Sequence, residues 1–174
     1  MEKLQARLAR GDPAAFAELY DTYAQRVGHY LLVRIGSRHD ADDVLQETFC
    51  RLARNRRKLA AVIDLDAYVL TIARNEAARL TARRTRRRAK ETPLAGDELF
   101  CCQPNNAEIH EIAELVAAAL GRLSVELREV VELKMYAGLT FAQISEVTGL
   151  PQGTVATRYR TALSKMQYWL TREP

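Results

Sequence analysis

Arg158 and Arg160, with Thr154 and Thr157 a turn away, are the side chains of this 174-residue chain best equipped for chemistry. That chemistry is recognition of a polyanion. Arginine reaches guanine edges or phosphates, and threonine suits a phosphate oxygen or a thymine methyl. They belong to the stretch Leu139–Arg160, which reads as a helix, a tight turn and a second helix. Thr140 is an N-cap and Gln143, three residues on, completes a capping box. Ile144 and Val147 recur as a buried face, and Ser145 is small enough to admit a neighbouring helix. Gly149 supplies the φ > 0 residue that ends the first helix, Leu150 plugs the corner, and Pro151 opens the second helix at a position that needs no N–H. Val155, Tyr159, Ala162 and Met166 then share one side, leaving Gln152, Thr154, Ala156, Thr157, Arg158, Arg160 and Thr161 on the outer faces. This is the helix-turn-helix layout, whose second helix enters the DNA major groove. Taken alone, the segment is also compatible with an ordinary helical hairpin turned at a glycine.

The elements that must carry this motif are helical throughout. Apolar residues make up 48% of the chain and aromatics only 7%, with 8 glycines and 5 prolines. No period-two pattern appears, so the expectation is an all-α protein of two small helical domains joined by a flexible linker. Gly11-Asp12-Pro13 opens a stripe of Phe16, Leu19, Tyr20, Tyr23, Val27, Tyr30, Leu31 and Ile35 that ends at Gly36. Asp40 is expected to cap the next helix, with Val44, Leu45, Thr48, Phe49 and Leu52 inside and Asp42, Asp43, Gln46 and Glu47 outside. Beyond a looser basic loop, Asp64 or Asp66 caps a long helix that buries Tyr68, Val69, Ile72, Ala73 and Leu80 and runs into a basic tail ending at Lys90. Breakers between about 91 and 106, around Pro93, Gly96 and Pro104, mark the linker. A helix over about 107–121 follows, then one capped by Ser124 with Leu127, Val130, Val131 and Met135 inside, ending at Gly138.

Charge is concentrated rather than large. The formal net charge is only +4, yet seven of the twelve positions from Arg79 to Lys90 are Lys or Arg, with no acid among them. Arg51, Arg54, Arg56, Arg57 and Lys58 form a second basic cluster. Such runs suit a nucleic acid, since each phosphate neutralised releases counterions; a solvated helix end or linker is the plainer alternative. No segment reaches the ~18 apolar residues of a membrane span, and Met1-Glu2-Lys3-Leu4 does not read as a signal peptide. Cytoplasmic residence is the expectation. Cys50, Cys101 and Cys102 form no CxxC pair, and His29, His39 and His110 lack metal-ligand spacing. No cofactor or metal is expected, and no catalytic residue, because nucleophile–base pairs and glycine-rich phosphate loops are both missing.

In combination these segments resemble a bacterial extracytoplasmic-function sigma factor over nearly the whole chain. The marks are Phe16-Ala17-Glu18-Leu19-Tyr20, Asp40-Ala41-Asp42-Asp43-Val44-Leu45-Gln46-Glu47-Thr48-Phe49 and Ala67-Tyr68-Val69-Leu70-Thr71-Ile72-Ala73-Arg74-Asn75 in the first half. The second half adds Leu120-Gly121-Arg122-Leu123, Arg128-Glu129-Val130-Val131-Glu132-Leu133 and Gly153-Thr154-Val155 with Arg158. Each is weak alone; their order and spacing carry the likeness. The resemblance implies a region 2 domain over 1–90, a linker over 91–106 and a region 4 domain over 107–174. It implies that Asp43, Gln46, Glu47 and Cys50, on one helical side, dock on core RNA polymerase. It places Asn75, Arg79, Arg83 and Arg84 toward the −10 promoter element, and Gln152, Thr154, Ala156, Thr157, Arg158, Arg160 and Thr161 at the −35 element. The loop of about 59–65 would receive a flipped base. An anti-sigma factor clamping the two domains is the expected regulator.

The chain also departs from the family's pattern. Thr161-Ala162-Leu163 stands where an Arg-Ala-Arg is common, and Ala156 where a bulky basic residue is, which removes potential −35 contacts. Tyr68 replaces a common tryptophan. Arg79 replaces a common aspartate, which adds positive charge to the −10 face. A conventional helix-turn-helix regulator, dimeric or ligand-sensing, is the rival class, but it has no evident need for the acidic Asp43/Gln46/Glu47 side or for a second basic surface.

Overall fold

The computed structural model describes residues 3–88 and 107–172. The expected linker 91–106, with Cys101 and Cys102, lies outside the described residues, as does the end of the basic tail at Lys90. Among the described residues there are eight α-helices, one 3-10 helix and no strand. The chain divides into two compact units, Met1–Asp97 and Glu98–Pro174.

The first unit contains α1 (Leu4–Arg10), α2 (Pro13–Ile35), α3 (Arg38–Arg54), the 3-10 helix Arg56–Ala61 and α4 (Leu65–Arg88). Helices α2, α3 and α4 pack on one another as a three-helix bundle, and α1 lies against the 3-10 helix. Asp12 caps α2 by accepting the Ala14 N–H at 3.0 Å, with Pro13 at the first helical position. Ser37, not Asp40, caps α3: its hydroxyl accepts the Asp40 N–H at 3.4 Å. Asp40 lies inside the first turn, where its carboxylate favours the helix N-terminus. The Ser37 hydroxyl, and after it the Arg84 guanidinium, hold that carboxyl below the usual range. Asp64 rather than Asp66 caps α4, accepting the Ala67 N–H at 2.9 Å; Asp66 is left to pair with Arg26 of α2.

Leu19, Val27, Tyr30 and Leu31 of α2, Val44 and Leu52 of α3, and Val69, Leu70 and Ala73 of α4 fill this core. The buried Thr48 hydroxyl donates to the Val44 carbonyl at 2.7 Å, so its burial leaves no donor unmet. Tyr20, expected in the core stripe, is 49% exposed. Its ring lies 4.8 Å from that of Phe49 at the edge of the α2–α3 contact, while Ala15 and Leu19 occupy the inner line.

The second unit contains α5 (Ala107–Gly121), α6 (Val125–Met135), α7 (Phe141–Thr148) and α8 (Gln152–Arg172). Helix α8 packs on all three others. Ala119, Leu120, Leu123, Val131, Ala162 and Met166 form its core, flanked by Tyr159 and Trp169. Arg128 donates to the Gly121 carbonyl at 2.5 Å and the Leu123 carbonyl at 3.3 Å, closing the α5–α6 corner. Met135, expected inside, is 62% exposed, because Leu133 takes the buried position in that turn. Pro151 stands one residue before α8, its carbonyl accepting the Val155 N–H at 3.1 Å.

Candidate nucleic-acid and partner interfaces

The α7–α8 corner is held by several independent contacts. The Thr140 hydroxyl accepts the Gln143 N–H at 3.2 Å, and the Gln143 side chain accepts the Thr140 N–H at 2.9 Å. This reciprocal pair satisfies two donors that the start of α7 would otherwise strand. Gly149, at φ 71°, ends α7 in the left-handed region. The Ser145 hydroxyl donates to the Leu150 carbonyl, so this small residue fastens the turn as well as admitting a neighbour. Lys134 donates to the Leu139 carbonyl at 3.1 Å and sits 5.4 Å from the Phe141 ring centroid. Phe141 meets Tyr159 edge-on with centroids 5.5 Å apart, and the Tyr159 hydroxyl donates to the Met135 sulfur at 3.3 Å.

These contacts set the rotation of α8. Val155, Ala162 and Met166 are buried. At about 100° per residue the opposite side carries Thr157, Arg160, Thr161 and Ser164, and all four are exposed. Gln152 is exposed at the helix start, while Thr154 and Ala156 are half-buried on the flanks. Arg158 is also half-buried, on the flank facing Glu126 of α6. The backbone at Glu126 and the Ser124 hydroxyl hold the Glu126 carboxyl below its usual range, and the Arg158 charge adds to this. The seven residues therefore do not form one surface: Thr157, Arg160 and Thr161 point away from the core, and Arg158 sits at its edge. Lys165 and Tyr168, which sequence reasoning passed over, prolong the outward side and line a groove there with Arg160, Thr161 and Ser164. Their signal was the same helical spacing, carried two turns further.

On α4 the structure brings together three of the four expected side chains. Asn75, Arg79 and Arg83 are exposed and fall within an arc of about 80°. Arg84, nine residues from Asn75 and so about half a turn out of phase, lies on the α3 side and pairs with Asp40. Arg86, also exposed, shares the Asn75 side instead. Arg79 is not a free charge. Its guanidinium is 2.9 Å from the Glu76 carboxylate, and the same oxygen receives Arg51 of α3 at 2.9 Å. Glu76 is only 7% exposed. Sequence reasoning missed it, although an acid between Ala73 and Ala77 on the core side of an arginine-rich helix was the available sign. The positive charge that Arg79 adds at this position is thus offset from within.

Along α3, Asp43 and Gln46 are exposed and Glu47 and Cys50 half-buried, on one side of the helix as the i, i+3, i+4, i+7 spacing requires. Glu47 pairs with Arg54 at 3.0 Å, and Asp43 lies 3.7 Å from the His39 imidazole. Exposed pairs of this kind contribute roughly 0–1 kcal/mol, so an incoming arginine can replace the internal partner at little cost.

Two family models match the chain: Sigma-70 region 2 over residues 19–88 and Sigma-70 region 4 over residues 113–166. The ECF RNA polymerase sigma factor SigL of Mycobacterium tuberculosis is 30% identical over 168 residues, covering 93% of this chain and 92% of that one. BldN of Streptomyces coelicolor, another ECF RNA polymerase sigma factor, is 29% identical over 164 residues; the match covers 92% of this chain but only 62% of BldN. In fold, the chain is similar to the sigma factor RpoE of Bartonella quintana, solved with the anti-sigma factor NepR, at a TM-score of 0.75 and 19% identity over 91% of this chain and 98% of that one. With region 2 and region 4 in order along one chain, and a relative 30% identical matched over nearly its full length, the chain belongs to the family of extracytoplasmic-function RNA polymerase sigma factors.

Proposed function

We propose that this protein is a transcription initiation factor that binds core RNA polymerase, directs it to specific promoters and assists their melting. The observation that carries the reading is the pairing within the first unit of an acidic side on α3 with an exposed basic side on α4, in a chain that also holds a region 4 helix-turn-helix. Residues 1–90 act as the region 2 domain, 91–106 as the linker and 107–174 as the region 4 domain. Asp43, Gln46, Glu47 and Cys50 dock on the polymerase through arginines of the partner. Asn75, Arg79 and Arg83 face the −10 element, with Arg84 held in reserve by Asp40. Thr157, Arg160 and Thr161 enter the −35 major groove, with Gln152, Thr154, Ala156 and Arg158 at its margins.

The protein works by binding and orientation and is not an enzyme. It acts in the cytoplasm; no described helix is long and apolar enough to cross a membrane. Control by an anti-sigma factor that covers both surfaces is part of the proposal. It is supported by the fold shared with a sigma factor solved with such a partner.

Co-elution with core RNA polymerase tests the reading without knowledge of the promoter. The wild type is expected to co-elute at a defined stoichiometry, and an Asp43→Arg/Glu47→Arg variant to be lost from the complex. Binding by both would move the docking surface elsewhere. Binding by neither, with both folded, would overturn the proposed function.

A further inference from the structure

The outward side of α8 is short of charge for the role proposed for it. Of Thr157, Arg160, Thr161 and Ser164, only Arg160 is a cation. Its Nε donates to the Ala156 carbonyl at 3.4 Å, which turns the guanidinium toward the start of the helix. The three hydroxyls can hydrogen-bond to a phosphate but neutralise none. Their short side chains leave a groove open, closed at its other end by Lys165, Tyr168 and Trp169. Lys165 and Tyr168 are exposed. The Arg172 guanidinium stands over the Tyr168 ring at 5.1 Å, and that of Arg122 over the Trp169 ring at 4.6 Å, so each ring of the groove has a cation behind it. From Gln152 to Arg172 the helix carries no acid, and Lys165 makes no ion pair among the described residues.

Side chains on an α-helix lean toward its N-terminus, so each residue covers the turn before its own. Lys165 comes four residues after Thr161, on the same side and about 6 Å further along the axis. Its flexible four-carbon stem therefore runs back over the position that the short Thr161 leaves uncovered. An ammonium there is a point charge suited to a phosphate, where a base edge would call for a planar fork. The line from Thr157 to Tyr168 is about 16 Å long. That exceeds the ~12 Å width of the major groove, so one end of the line meets the phosphate wall when the other reaches the bases. We propose that Lys165, reaching over Thr161 with Tyr168 packed beside it, grips a phosphate at the edge of the −35 major groove. The inference rests on the −35 role proposed for α8, and it gives that role a contact that the residues facing the bases do not supply.

The test uses the full-length chain with core RNA polymerase on a duplex fragment from which transcription starts only when the chain is present. Affinity is followed from low to moderate salt for the wild type, Lys165→Ala, Lys165→Ala/Thr161→Arg and a control, Lys3→Ala, which removes the same charge from an exposed position of the first unit. Each phosphate contact on duplex DNA contributes about 0.9 to the slope of log K against log salt. Lys165→Ala is expected to lose about that much, to weaken binding equally on fragments with intact and scrambled −35 elements, and to co-elute with core polymerase as the wild type does. Lys3→Ala should keep the wild-type slope, and Thr161→Arg should restore what Lys165→Ala loses. An unchanged slope in Lys165→Ala would overturn the contact, and a loss that Thr161→Arg does not restore would overturn its place over Thr161. Altered preference among −35 sequences would make Lys165 a reader of bases, and loss of co-elution would assign it to a protein interface; either overturns the inference. A fragment search that yields no chain-dependent start would fail the parent reading, and this one with it.

Discussion

Replacing Glu76 by glutamine should destabilise the first unit and leave the second untouched. The Glu76 carboxylate is 8% exposed and receives Arg51 and Arg79 on one oxygen at 2.9 Å each. A hydrogen bond to a charged group contributes roughly 1.5–3 kcal/mol when buried. Arg51 is 32% and Arg79 51% exposed, so both can turn to water when the acid is gone, and solvent screening lowers the sum. The expected cost is about 1–2 kcal/mol. For a unit of this size the urea dependence is about 1 kcal/mol per molar, which moves the midpoint down by about 1–2 M. The protein reports on itself here: its 1 tryptophan, Trp169, lies in the second unit. Urea titration by far-ultraviolet dichroism should show the first transition shifted, while Trp169 fluorescence stays on the wild-type curve. Arg51→Ala should cost more than Arg79→Ala, the more exposed arm. A Glu76→Gln variant within about 0.5 kcal/mol of wild type, or a shifted Trp169 transition, would refute the reasoning.

Three further outcomes follow from the structure. Gly149→Ala should cost about 1–2 kcal/mol and Gly149→Asn less; a Cβ there meets nothing within 4 Å, so the penalty is that of φ 71° alone, and Trp169 fluorescence in urea measures it. The lowered pKa of Asp40 contributes stability that is full above the ordinary aspartate range and lost as pH falls through the lowered value. Asp40→Asn should therefore be less stable than wild type at pH 7, with the gap closing below about pH 4 in acid titrations followed by dichroism. Arg160→Ala should weaken polymerase-dependent promoter binding by about 1–3 kcal/mol, measured by footprinting. Arg158→Ala should do so less directly, because Arg158 sits at the core edge beside Glu126.

The helices were legible because their signals are local. Thr140 with Gln143, Asp12 with Pro13, and the left-handed glycines at 36 and 149 mark ends that need no tertiary information. The acidic side of α3 and the buried side of α8 followed from spacing alone. What escaped depends on neighbours distant in sequence. Arg84 reads as one more cation in a basic run, yet Asp40, 44 residues away, holds it on the α3 side. Glu76 was passed over although it lies on the core side of α4, because its bridging role needs Arg51 of α3, 25 residues away in sequence. One cap erred, Asp40 for Ser37, and the other was left open between Asp64 and Asp66 until geometry chose Asp64, because two acceptors within a turn satisfy the same pattern.

The most direct test of the central claim is transcription in vitro by core RNA polymerase from fragments of the source genome, with and without the purified chain, with start sites mapped. The expected result is a set of new starts that require the chain and share two upstream elements, near −10 and −35, at a fixed separation. The −35 element should lose its influence in an Arg160→Ala protein. No chain-dependent starts, together with fragments bound by the chain alone at inverted repeats, would contradict the account and assign the protein to the conventional helix-turn-helix regulators.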